Sequence, residues 1–240
     1  MTRIRKKDDS SEVRSVTLVG LVWNVVLSVG KFFAGYFGGS QALVADAIHS
    51  ASDFITDIAI IIGSKFWNAP PDADHPYGHR RFETLISVGI GLAVCAVGIG
   101  LGYNAVMALV NGEQSHPEWI AAVMAAVSIV VKEALFRYTR AKGRAMRSEA
   151  VEANAWHHRS DAYSSIPVLI AVLFGIIFPT LWFADSVGAI IVSCFILHSG
   201  YEIAWPGIPR DADVGARAGV AQKLRDGVLA CPNVTGIHGV

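Results

Sequence analysis

Across 240 residues, 20 Lys and Arg balance 20 Asp and Glu, and 52% of positions are hydrophobic. With a mean hydropathy of +0.43, several stretches pass the roughly 18-residue apolar length needed to cross a bilayer, so the chain reads as an all-α integral membrane protein. The zero net charge argues against a general attraction to nucleic acid. Scattered Cys95, Cys194 and Cys231, with no CxxC, argue against a disulfide framework or a thiolate zinc site.

The first stretch, MTRIRKKDDSSEVR, is charged and lacks the apolar core of a secretory signal. Residues 1–13 are therefore read as a cytoplasmic N-terminal arm, and residues 14–206 as a domain of six transmembrane helices. The first span is expected over 16–37, interrupted by Asn24 and by Lys31, whose ammonium is read as snorkelling to an interface. Gly38-Gly39-Ser40 supplies a tight turn into the second span.

That second span, ALVADAIHSASDFITDIAIIIG over 42–63, is long and apolar yet carries Asp46, His49, Asp53 and Asp57. At about 100° per residue all four share an arc of roughly 80°. A charge at the bilayer centre costs about 2.5–3.5 kcal/mol on insertion scales, so this stripe is expected to face protein, water or a bound cation. His49 and Asp53, four apart, point the same way, as two ligands to one ion must.

The loop NAPPDADHPYGHRRFE follows, with candidate ligands Asp72, His75 and His79. The third span, 84–110, is rich in glycine, including the close-packing pair Gly98 and Gly102. The fourth span is expected over 117–138, with Lys132 and Glu133 in its last turns read as a salt-bridged or snorkelling pair. The basic stretch RYTRAKGRAMRSEAVEAN reads as a polar linker to a fifth span over 155–178, which opens with WHHRSDAYSS and is interrupted by Pro167. A sixth apolar run covers 186–205. Lys and Arg crowd the N-terminal arm and the loops after the second and fourth spans, while the other three loops have none, so both termini are expected in the cytoplasm.

His157 and Asp161 repeat in the fifth span the four-residue spacing of His49 and Asp53. Two imidazoles and two carboxylates suit a borderline divalent ion such as Zn²⁺ at tetrahedral geometry. His158 lies about 100° from its neighbour, and His157 is chosen for its register with Asp161.

Taken together, ALVADAIHSASD, HPYGHRRFE and NAWHHRSDAYSS resemble the cation diffusion facilitator family of divalent-metal transporters over essentially the whole chain. The resemblance implies a transport site at His49, Asp53, His157 and Asp161 and, as in some members of the family, a further metal site in the loop at Asp72, His75 and His79. It also implies a homodimer in the lipid bilayer of an inner or plasma membrane, exchanging metal for protons by alternating access, and a cytoplasmic domain of metallochaperone-like α/β fold. Residues 207–240 match only the beginning of such a domain. His238 falls where some relatives place a metal ligand, but its partners would lie downstream.

The expected function is efflux of Zn²⁺, with Fe²⁺, Mn²⁺, Co²⁺ or Cd²⁺ as other cargo, no resident cofactor and no enzymatic activity. A membrane metalloenzyme would need HExxH or several HxxxH clusters, and only His75-xxx-His79 has that spacing. A non-transporting regulatory subunit is the remaining alternative; ligand residues at both pairs speak against it.

Overall fold

The computed structural model describes residues 2–67, 80–205 and 226–229. Six long helices follow one another: α1 (Thr2–Phe37), α2 (Gln41–Trp67), α3 (Arg80–Val110), α4 (Trp119–Met146), α5 (Glu149–Ile177) and α6 (Ala184–Ala204). No strand occurs among the described residues. Five of these helices, α1 and α3 to α6, are long and apolar enough to cross a membrane. The other, α2, has 27 residues and carries Asp46, Asp53 and Asp57.

Polarity is distributed for lipid. The buried cluster is built largely from small residues, among them Ala34, Ala42, Ala45, Ala105, Ala121, Ala122, Ala125 and Ala189. Large apolar side chains such as Trp23, Phe33, Ile99, Val130 and Phe174 point outward, while Lys31, Asp46, Lys132, Asp161 and Asp185 lie inside. In hydrocarbon, apolar side chains gain little by hiding, so helices associate through close backbone approach and shared polar contacts.

The α3–α6 pair shows the close approach directly. A Cβ on Gly200 would lie 2.6 Å from Cys95 Sγ and 2.9 Å from both the Cys95 nitrogen and the Gly91 oxygen. Gly98 faces Ile196 and Leu197, and Gly102 faces Ser193, so this glycine spacing is spent on packing within the chain. Gly100 has open space around it. We therefore expect Gly200→Ala to lower stability in detergent by about 1–3 kcal/mol through overpacking, and Gly100→Ala to leave the melting temperature near wild type. Equal melting of the two variants would show that α3 and α6 separate easily.

The region between α4 and α5 differs from the expected linker. Helix α4 continues to Met146 and α5 begins at Glu149, leaving only Arg147 and Ser148 between them. Arg147 takes the left-handed conformation (φ 53°) at the end of α4, and Ser148 Oγ accepts from the Val151 N–H at 3.4 Å. Glu149 and Glu152 complement the positive end of α5. Basic composition had suggested a loop, but helix ends that leave an apolar layer are polar too.

At the opposite end of the bundle, buried Asp185 ties three connections together. It accepts from Ser40 Oγ and the Gln41 N–H, each at 2.6 Å, and from Ser115 Oγ at 3.0 Å. Ser40 Oγ also accepts from the Leu43 N–H at 3.1 Å, capping α2, and Gly39 supplies the positive φ of 62° that the turn requires. This clamp sets where α2 starts, and with it the register of His49 and Asp53. Of residues 207–240, only 226–229 lie among the described residues, and they are helical.

Candidate metal centre

The α2 pair and the α5 pair face one cavity of about 460 Å³, lined by His49, Asp53, His157 and Asp161. Asp53, His157 and Asp161 each present a ligand atom, and these atoms lie within 4.8 Å of one another. Within each helix the one-turn spacing brings the partners close: His49 Nδ1 is 3.9 Å from Asp53 Oδ2, and His157 Nε2 is 3.9 Å from Asp161 Oδ1. His49 is buried, and its Nδ1 has no hydrogen-bond partner among the described residues. Donor atoms around a tetrahedral ion with bonds of about 2.1 Å stand roughly 3.4 Å apart, so a small contraction of this group would enclose a cation.

Each residue of the WHHRSD run has a distinct place. Trp156 packs on Phe136 of α4 with ring centroids 5.3 Å apart, and Arg159 lies 4.6 Å over the same Phe136 ring. His157 lines the cavity, whereas His158 is buried against α1, where a Cβ on Gly20 would sit 2.8 Å from its Nε2. Both nitrogens of His158 lack partners among the described residues. Of the two neighbours, His157 is thus the one grouped with Asp53 and Asp161.

Two lysines sit differently from the sequence expectation. Lys31 does not snorkel: it is fully buried and donates to Asp46 Oδ2 at 3.1 Å and to Ser50 Oγ at 2.7 Å. Asp46, 1% exposed, also accepts from Ser165 Oγ, so its part of the α2 stripe faces protein. Lys132 does not pair with Glu133. Its Nζ lies 3.3 Å from Asp161 Oδ2 and 3.3 Å from Ser50 Oγ, while Glu133 pairs outward with Arg137. One buried network therefore runs from Asp46 through Lys31, Ser50 and Lys132 to Asp161.

Sequence reasoning also missed His198 and Glu202 of α6, which line the same cavity and stand 3.4 Å apart. Their i, i+4 spacing was the available signal, repeating that of the two ligand pairs. The side chain of Asp57, the loop residues Asp72, His75 and His79, and His238 lie outside the described residues.

Residues 17–210 match the family model for the cation efflux transmembrane domain. The chain belongs to the cation efflux, or cation diffusion facilitator, family. It is 36% identical over 232 residues to an uncharacterized transporter of Methanocaldococcus jannaschii, covering 95% of this chain and 80% of that protein. It is 34% identical over 200 residues to the manganese efflux system protein MneP of Bacillus subtilis, covering 81% of this chain and 67% of MneP. With metal tolerance protein C1 of Arabidopsis thaliana it shares 33% identity over 242 residues, and there the chain spans about half of the plant protein's length, 51%. As a cation efflux family member it is a multi-pass membrane transporter of divalent metal cations and not an enzyme.

Proposed function

We propose that this transporter exports Zn²⁺ from the cytoplasm through a site formed by His49, Asp53, His157 and Asp161. The observation that carries this reading is the convergence of two His/Asp pairs, from two helices, on one cavity. All six helices span the bilayer in this reading, α2 included, with both termini cytoplasmic and two copies forming a homodimer. Imidazoles must be neutral and carboxylates ionised to hold a metal, so loading releases protons and unloading takes them up, which couples cation export to proton entry by alternating access. The loop residues Asp72, His75 and His79 form a further proposed binding site, and residues 207–240 the beginning of a cytoplasmic domain.

The ligand chemistry supports zinc, since imidazole suits zinc better than the harder manganese ion. Manganese is a second reading, supported by the likeness to MneP. Flux into proteoliposomes with zinc and manganese in competition, with and without a pH gradient, separates the two. Wild type is expected to prefer zinc and to accelerate when the gradient is imposed. His49→Asp exchanges a nitrogen ligand for a charged oxygen ligand and is expected to shift the ratio toward manganese. A wild type that prefers manganese would favour the second reading, and a ratio untouched by the substitution would remove His49 from the ligand set.

A further inference from the structure

Lys132 comes from α4, a helix that supplies no ligand to the site. Its ammonium, on a residue 2% exposed, lies 3.3 Å from Asp161 Oδ2. The other oxygen of that carboxylate, Oδ1, faces His157 Nε2 at 3.9 Å. Asp161 is thus divided between a fixed organic cation on one side and the cavity on the other. The second buried lysine, Lys31, has a carboxylate of its own in Asp46. Lys132 has none: beyond Asp161, its hydrogen-bond partner among the described residues is the neutral Ser50 hydroxyl.

We propose that Lys132 is a tethered competitor for the transported cation, an ammonium that shares Asp161 with the ion, weakens its binding and so hastens its release. This rests on the transport site proposed above. With Asp53 and Asp161 ionised, Lys132 leaves the empty site one net negative charge in place of two. A divalent ion then enters against a like charge held a few ångströms away, in surroundings where such repulsion is little screened. Loading forces the ammonium back toward Ser50, already 3.3 Å away, and the like-charge repulsion that remains favours unloading. A transporter gains from this, because an ion held too firmly turns over slowly.

Lys132→Gln keeps a hydrogen-bond donor for Asp161 and Ser50 but removes the charge. In the purified full chain, titrated with zinc against a chelating dye, this variant is expected to tighten the zinc Kd by about tenfold or more. In proteoliposomes both KM and kcat should fall. Lys132→Arg, which keeps the charge, should bind zinc as wild type does. If Lys132 only orients Asp161, the Gln variant will instead bind more weakly or unchanged, and that result overturns the proposal, as does tightening in the Arg variant. A measurement on the wild type itself guards against misfolding of the variants. The ¹⁵Nζ resonance of Lys132 should move when zinc saturates the site, and a stationary resonance overturns the proposal. Asp161→Asn separates this inference from its foundation. A zinc stoichiometry and affinity unchanged by Asp161→Asn remove the site itself, whereas one zinc equivalent lost there but unaltered in Lys132→Gln removes only the competitor.

Discussion

Asp53→Ala is expected to reduce metal-dependent flux to background while the protein melts in metal-free detergent at a temperature close to wild type. The carboxylate contributes a charged ligand that no neighbour can replace from its own position, yet no buried cation depends on it. Its nearest ionic partner is His49 at 3.9 Å, and its side chain keeps 20% exposure toward the cavity. Asp161→Ala should abolish flux equally but also destabilise the fold. It strips Lys132 of its carboxylate, and breaking a buried pair by removing one member costs about 3–5 kcal/mol. From the sequence alone the two substitutions look equivalent, and loss of either carboxylate would be expected to relieve a desolvation cost. The ion pair to α4 separates them. Flux retained by Asp53→Ala would place the site elsewhere, and equal melting of the two variants would show that Lys132 does not depend on Asp161.

The features that could be read in advance are those set by a single helix. Spacing of four residues puts His49 with Asp53 and His157 with Asp161 whatever surrounds them, and hydropathy alone locates the helices to within a few residues where an apolar layer ends in a turn. The features that escaped depend on partners far apart in the chain. Lys31 meets Asp46 across 15 positions, and Ser40 meets Asp185 across 145. Neither pairing has a local signature. A charge count over the apolar stretches gives a hint, since Lys31 and Lys132 each need an anion once they are taken as inward-facing, and Asp46 lies on a helix otherwise rich in apolar side chains. Reading Lys31 as snorkelling, and Lys132 as snorkelling or salt-bridged to Glu133, removed that demand before it could identify a partner.

The Lys31–Asp46 pair is where the largest purely structural effect is expected. Asp46→Ala leaves a fully buried ammonium with the Ser50 hydroxyl and the residue-46 carbonyl as its remaining hydrogen-bond partners among the described residues, since Asp46 was its ion-pair partner there. Lys31→Met leaves the Asp46 carboxylate with Ser165 Oγ. Each single substitution should cost about 3–5 kcal/mol, because an uncompensated charge stays buried. Replacing both, as Lys31→Met with Asp46→Ala, removes the two charges together and should restore most of that loss, so the double variant is expected to melt above either single variant and the double-mutant cycle to be strongly non-additive. Thermal unfolding of the four proteins in one detergent, without metal, measures this. Flux through the double variant is informative as well. Among the described residues the hydrogen bonds from Asp46 and Lys31 toward the site run through Ser50 and Ser165, so a stable double variant should still bind zinc at His49, Asp53, His157 and Asp161. Purely additive losses would show that the two charges are hydrated separately, and the buried network from Asp46 to Asp161 would then not be a connected structure in the working protein.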